Sequence, residues 1–109
     1  MTRTTLGDLE HQVLLATLRL KDQAYSVSVV LEIEERTGRE VAQAAVFIAL
    51  RRLEAKGLLR SRVEEEADET GRARRYFTLT AAGMQKLRVM RRALKSLWQG
   101  FGAELDGAS

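Results

Sequence analysis

The segment VFIALRRLEAKGLL, Val46 to Leu59, followed after a short interval by GRARRYFTLTAAG, Gly71 to Gly83, most narrows what this chain can fold into. In the first segment apolar residues recur every three or four positions until Gly57 interrupts them, the pattern of an amphipathic helix with a glycine stop. The residues after that glycine alternate as a strand. A second strand, studded with arginines, follows the polar stretch EADETG, and a threonine then opens another helical pattern. A basic helix feeding a hairpin whose return arm is also basic suits a surface that meets a polyanion.

The rest of the chain fits around this unit. Leu6, Leu9, Val13, Ala16 and Leu20 form a helical stripe, and Leu14, Leu15 and Leu18 widen it beyond what one partner would cover. A second helix is predicted to start near Ser26 or Ser28, to carry Val29, Val30 and Ile33 inward, and to stop at Gly38 in a left-handed conformation. The third spans roughly 42–56, with Val46, Leu50 and Leu53 inside. Strands are predicted at 58–65 and 72–79. Thr80 should cap a last helix to about Gly100, along which Leu87, Met90, Leu94, Leu97 and Phe101 alternate three and four apart, with Trp98 beside them.

This order predicts a mainly α fold with a small β-hairpin: a winged helix-turn-helix over 1–79, a C-terminal dimerisation helix over 80–101 and a flexible tail over 102–109. The 109 residues suit one domain, and an apolar share of 45% is ample for its core. The net charge of +3 is too small to identify a partner, so local charge must do that. There is no cysteine, hence no disulfide, thiolate metal site or cysteine nucleophile. No apolar run approaches the ~20 residues of a membrane span. With Asp8 and Glu10 near its start the chain does not open like a signal peptide, so a cytoplasmic protein is expected.

The stretches LGDLEHQVLLATL, AYSVSVVLEIEERTGREV, LRRLEAKGLLRSR and GRARRYFTLTAAG, in this order, resemble the PadR family of bacterial transcription regulators, particularly its short members with a single C-terminal helix. The resemblance runs from about Leu6 to Phe101. It implies a homodimeric binder of double-stranded DNA, usually a repressor, acting on a palindromic operator. The third helix would enter the major groove, the hairpin would touch the flanking backbone, and the last helix would pair two protomers. Several positions depart from the family pattern. Ser26 replaces a usual glycine, Ala42 and Ala44 a serine and a glycine, Phe47 a tyrosine, Ala49 a threonine, and Arg51 a residue often acidic. Hydroxyls that bind phosphates or base edges are thereby thinned out.

The candidate DNA contacts are Gln43, Phe47, Arg51, Arg52, Arg72, Arg74 and Arg75. Arg51 and Arg52 point about 100° apart on a helix. One is expected to reach DNA while the other pairs with Glu54 or another acid; the plainer reading is a solvated helix face. Gln43, at the helix start, is suited to adenine or is an exposed spacer. Phe47 has two uses, a thymine methyl or the core, and partial burial with its ring edge near DNA is expected. On the return strand Arg72 and Arg74 should share one face, Arg75 the other with Phe77, and Arg60 and Arg62 should extend the patch. The competing use of these arginines is cross-strand pairing with Glu64, Glu65, Glu66, Asp68 and Glu69. Because that acidic cluster would repel DNA, the base of the hairpin rather than its tip is expected to make contact.

Leu9, Val13, Leu87, Met90, Leu94, Leu97, Trp98 and Phe101 are the expected dimer contacts, against the plainer reading of an intrachain core. Trp98 is also the candidate lining residue for an inter-subunit cavity holding a small, flat, apolar effector, although an interface tryptophan needs no ligand to explain it. An enzyme is not expected. His11 is the sole histidine, set in an apolar helix, and the glutamate run lacks partners at metal-ligand spacing, so neither a metal nor a cofactor is expected. The rival reading is a winged-helix module whose partner is protein.

Overall fold

The computed structural model describes residues 6–65 and 73–102. Among the described residues four helices and one hairpin follow in order: α1 (Asp8–Leu20), α2 (Ser26–Thr37), α3 (Gln43–Ala55), β1 (Leu59–Glu64), β2 (Arg74–Leu79) and α4 (Ala81–Trp98), with a 3₁₀ turn, Lys21–Gln23, between α1 and α2. Among the described residues no helix is long and apolar enough to cross a membrane.

The helix ends are written locally. Gly38 (φ 71°) and Gly57 (φ 80°) take the left-handed conformation that closes α2 and α3. Thr80 caps α4 by accepting from the Gly83 amide at 3.0 Å and donates to the Gly57 carbonyl at 2.7 Å, so one hydroxyl joins the end of α3 to the start of α4. At α2 neither Ser26 nor Ser28 is the cap. Tyr25 holds that position, and Ser28 reaches back to accept from the Tyr25 amide at 2.9 Å.

β1 and β2 pair antiparallel with Leu59 opposite Leu79, Ser61 opposite Phe77 and Glu64 opposite Arg74. The 3₁₀ turn lies against β2, and the Phe77 amide donates to the Ala24 carbonyl at 2.8 Å. The core gathers Val13 and Leu14 of α1, Val29 and Ile33 of α2, Val46, Leu50 and Leu53 of α3, Leu59, Phe77 and Leu87. Phe77 is the largest fully buried side chain, so the hairpin is rooted in the core rather than laid over it.

Two expected dimer contacts are therefore corrected. Val13 and Leu87 are enclosed within their own chain, and Leu9 is half-buried against the same core. A helical stripe tells which residues leave water together but not which surface covers them. On α1 the large apolar side chains left in solvent are instead Leu15 and Leu18, which line a groove with Ile33 of α2.

α4 touches its own chain through its first turns only. Gly83 is buried, and a Cβ there would run into the Leu58 carbonyl, so glycine is what lets α4 approach the turn after α3. Beyond Leu87 every described residue from Arg91 onward is exposed.

Candidate nucleic-acid interface

The first determinant of the site is the angle between α2 and α3. Gln43 Nε2, at the first turn of α3, donates to Ser26 Oγ, at the first turn of α2, over 3.2 Å. Gln43 thus bridges the two helix starts in the free chain. The far end of α3 is tied to α1 by Lys56 Nζ and Glu10 Oε1 at 2.9 Å. Between these ties Val46, Ala49, Leu50 and Leu53 face inward. Ala49 is buried, so a hydroxyl at that position would not lie on the outer face.

The outward arc of α3 holds Ala44, Ala45, Phe47, Ile48, Arg51, Arg52 and Ala55. Phe47 remains 40% exposed while its ring meets Phe77 edge-on, centroids 6.4 Å apart, which is the expected partial burial. Its neighbour Ile48 is 51% exposed. Sequence reasoning passes over Ile48, because an isoleucine in a helical pattern is ordinarily assigned to the core. Arg51 and Arg52 diverge as helical spacing requires. Arg51 Nε lies 3.5 Å from Glu54 Oε1, towards the hairpin, whereas Arg52 lines a shallow depression with Leu9, Ile48 and Lys56.

The hairpin has two distinct faces. The register places Arg75 with Phe77 and Ser61 on the face towards α3, and Arg74 with Tyr76 and Arg62 on the other. On the first face Arg75 Nη1 donates to Ser61 Oγ at 2.8 Å, and Ser61 in turn donates to Glu54. Glu54 is thus shared by Arg51 of α3 and, through Ser61, by Arg75 of the hairpin. These two candidate contacts, 24 positions apart in the chain, converge on one carboxylate.

On the opposite face cations and aromatic rings alternate. The Arg74 guanidinium sits 4.1 Å from the Tyr25 ring centroid and donates to the Tyr76 hydroxyl at 3.3 Å. Tyr25 and Tyr76 meet edge-on at 5.5 Å, and Arg62 lies 4.9 Å over Tyr76. Arg62 also pairs with Glu64 at 3.0 Å and donates to the Asp22 carbonyl at 3.3 Å. This ladder braces the hairpin against the 3₁₀ turn and the start of α2. Each such contact contributes about 0.5–1 kcal/mol when exposed. Arg74 is therefore a brace in the free chain, held by Tyr76 and by Tyr25, a partner that no local pattern announces. Arg72, Glu66, Asp68 and Glu69 lie outside the described residues, as does 103–109 of the expected tail.

Three helices with a rooted hairpin beside the third define a winged helix-turn-helix, the fold of a class of transcription regulators. Residues 14–89 match the transcriptional regulator PadR-like family, and the chain belongs to that family. It is similar to the transcriptional regulator Rv3488 of Mycobacterium tuberculosis, with 44% identity over 62 residues, 57% of this chain and 55% of that protein. The match thus spans about half the length of that relative. Among solved structures, a PadR family regulator from Clostridium difficile superposes with a TM-score of 0.75 at 22% identity, over 91% of this chain and 99% of that one. A second, from Eggerthella lenta, gives 0.68 at 27% identity, over 85% and 80%.

Proposed function

We propose that the chain is a homodimeric repressor that binds double-stranded DNA at a palindromic operator, with α3 in the major groove and the hairpin on the flanking backbone. The observation that carries this reading is the outward arc of α3, held at a fixed angle to α2, with Arg51, Arg52 and Arg75 gathered along its edges. A two-fold dimer would set its reading helices about 34–36 Å apart. Its pairing surface is the exposed half of α4, where Leu97 is 72% and Trp98 54% exposed, continued by Leu94, Phe101 and the half-buried Met90. From α1, Leu15 and Leu18 take the part expected of Leu9 and Val13. Trp98, exposed beside this stripe, would line an inter-subunit cavity for a small, flat, apolar effector; its exposure supports that reading.

Binding to mixed-sequence duplex DNA across a salt series tests the reading. Affinity should fall steeply with salt, and the double variant Arg51→Ala, Arg75→Ala should flatten the log–log slope by about 0.9 for each phosphate that is no longer neutralised. Absence of affinity even at low salt would overturn it. In that case the exposed Phe47 and Ile48 favour the second reading, a winged-helix module with a protein partner.

A further inference from the structure

We infer that the first two turns of α3 select thymine, reading the C5-methyl groups of A·T pairs through Ile48, Phe47 and the adjoining alanines. The inference rests on the DNA-binding reading above and specifies what that surface recognises. After Gln43, the residues on the outward arc of these turns are Ala44, Ala45, Phe47 and Ile48. None carries a hydrogen-bonding side chain. The major-groove edges of the bases offer donors, acceptors and one apolar group, the thymine methyl. The N-terminal residues of a recognition helix are those that meet base edges. The only base feature these four side chains can recognise is therefore that methyl group. Ala44 and Ala45, being short, let the helix backbone come close to the groove floor. Ile48 stands between them and Arg51, one turn further on.

Burial and charge favour DNA as what covers this patch. Phe47 and Ile48 are adjacent, 40% and 51% exposed, and form a continuous apolar surface with the alanines. Isoleucine gains nothing in an exposed helix position, where it forms helix less readily than leucine, lysine or glutamate. The patch is bordered by Arg51 and Arg52, with Arg75 across from it on the hairpin, while on the α1 side Asp8 and Glu10 lie beside Ala45 and Ile48, Glu10 being paired with Lys56. Cations framing an apolar strip complement a groove whose floor carries methyl groups and whose walls carry phosphates. Phe47 is fixed by its edge contact with Phe77, so its ring presents a set orientation, while Ile48 projects beside it.

The test starts from duplexes selected by the full chain from a random-sequence pool. A selected duplex is resynthesised with deoxyuridine in place of each thymine in turn, which removes one methyl and changes nothing else. At one or two positions per half-site, binding should weaken about fourfold per methyl removed, the burial of a single such group. Ile48→Ala, an exposed change that leaves the helical circular dichroism and melting intact, should bind the thymine and uracil duplexes alike at one of those positions. Phe47→Leu should change the response at the neighbouring one. Equal affinity of the unaltered protein for thymine and uracil duplexes, with salt-dependent binding retained, would overturn the inference and leave DNA binding standing. A uracil penalty that persists in both variants would assign the methyl to another element and overturn it too. Failure to retain any duplex from the pool at low salt would remove the DNA-binding reading itself.

Discussion

α3 and α4 each leave apolar side chains in water, but in opposite surroundings. On α3 the exposed Phe47 and Ile48 sit over a fully engaged inner face, between arginines, on a helix tied at both ends. On α4 the exposed Leu94, Leu97 and Trp98 lie on a half-helix that its own chain does not cover. The first is a small patch on a rigid mount, suited to reading a surface that already has a shape. The second is a stripe with heptad-like spacing, suited to burial against a copy of itself. Exposure alone does not distinguish a reading surface from a pairing one, and flanking cations do not either, since Arg91, Arg92 and Lys95 flank the α4 stripe; the mount does.

Charging the α4 stripe should break this contrast most sharply. Leu94→Asp with Leu97→Asp should convert the proposed dimer to monomer at micromolar concentration by light scattering, with melting of the winged-helix core little changed because Leu87 stays covered. A variant that stays dimeric would place the pairing surface elsewhere. The other half of α4 should respond in the reverse way. Gly83→Ala puts a Cβ against the Leu58 carbonyl, and such overpacking costs about 1–3 kcal/mol. Thermal unfolding should shift downward while any dimer contact through Leu97 and Trp98 remains. Next comes the brace on the outer face of the hairpin. Tyr25→Leu removes the ring beneath Arg74 and the edge contact to Tyr76, a destabilisation of about 0.5–1.5 kcal/mol. Faster amide exchange in β2 and a smaller drop in global stability are expected.

What is legible in the chain follows the range of the interaction. Gly38, Gly57 and Thr80 terminate or begin helices through contacts within a few residues, and local sequence is enough to place them. The inward assignments of Val46, Leu50 and Leu53 follow from helical periodicity. For Val13 and Leu87 the same periodicity misleads, because it names a face without naming its cover. Arg74 reads as a phosphate contact because its partner Tyr25 lies far away in sequence, where only the docking of the hairpin brings the two together. Ile48 is passed over for the opposite reason: its apolar character suggests the core, although the helical spacing that turns Val46, Leu50 and Leu53 inward already sets Ile48 on the opposite face.

The smallest expected effect bears most directly on how α3 and the hairpin act together. Glu54 holds Arg51 at 3.5 Å and, through Ser61, Arg75. In the free chain this carboxylate keeps both guanidinium groups on the line between α3 and the hairpin. It also offsets part of their charge. Glu54→Gln preserves shape and hydrogen bonding to Ser61 while removing that charge, so both arginines become more available to phosphates. Binding to mixed-sequence duplex should tighten by a few-fold and its salt slope should steepen, each additional phosphate neutralised contributing about 0.9. Discrimination between a selected operator and mixed sequence should shrink, because phosphate contacts position the protein without reading bases. If Glu54→Gln instead leaves the salt slope unchanged and lowers only thermal stability, the carboxylate is a structural staple, and recognition rests on the outer arc of α3 without help from this junction.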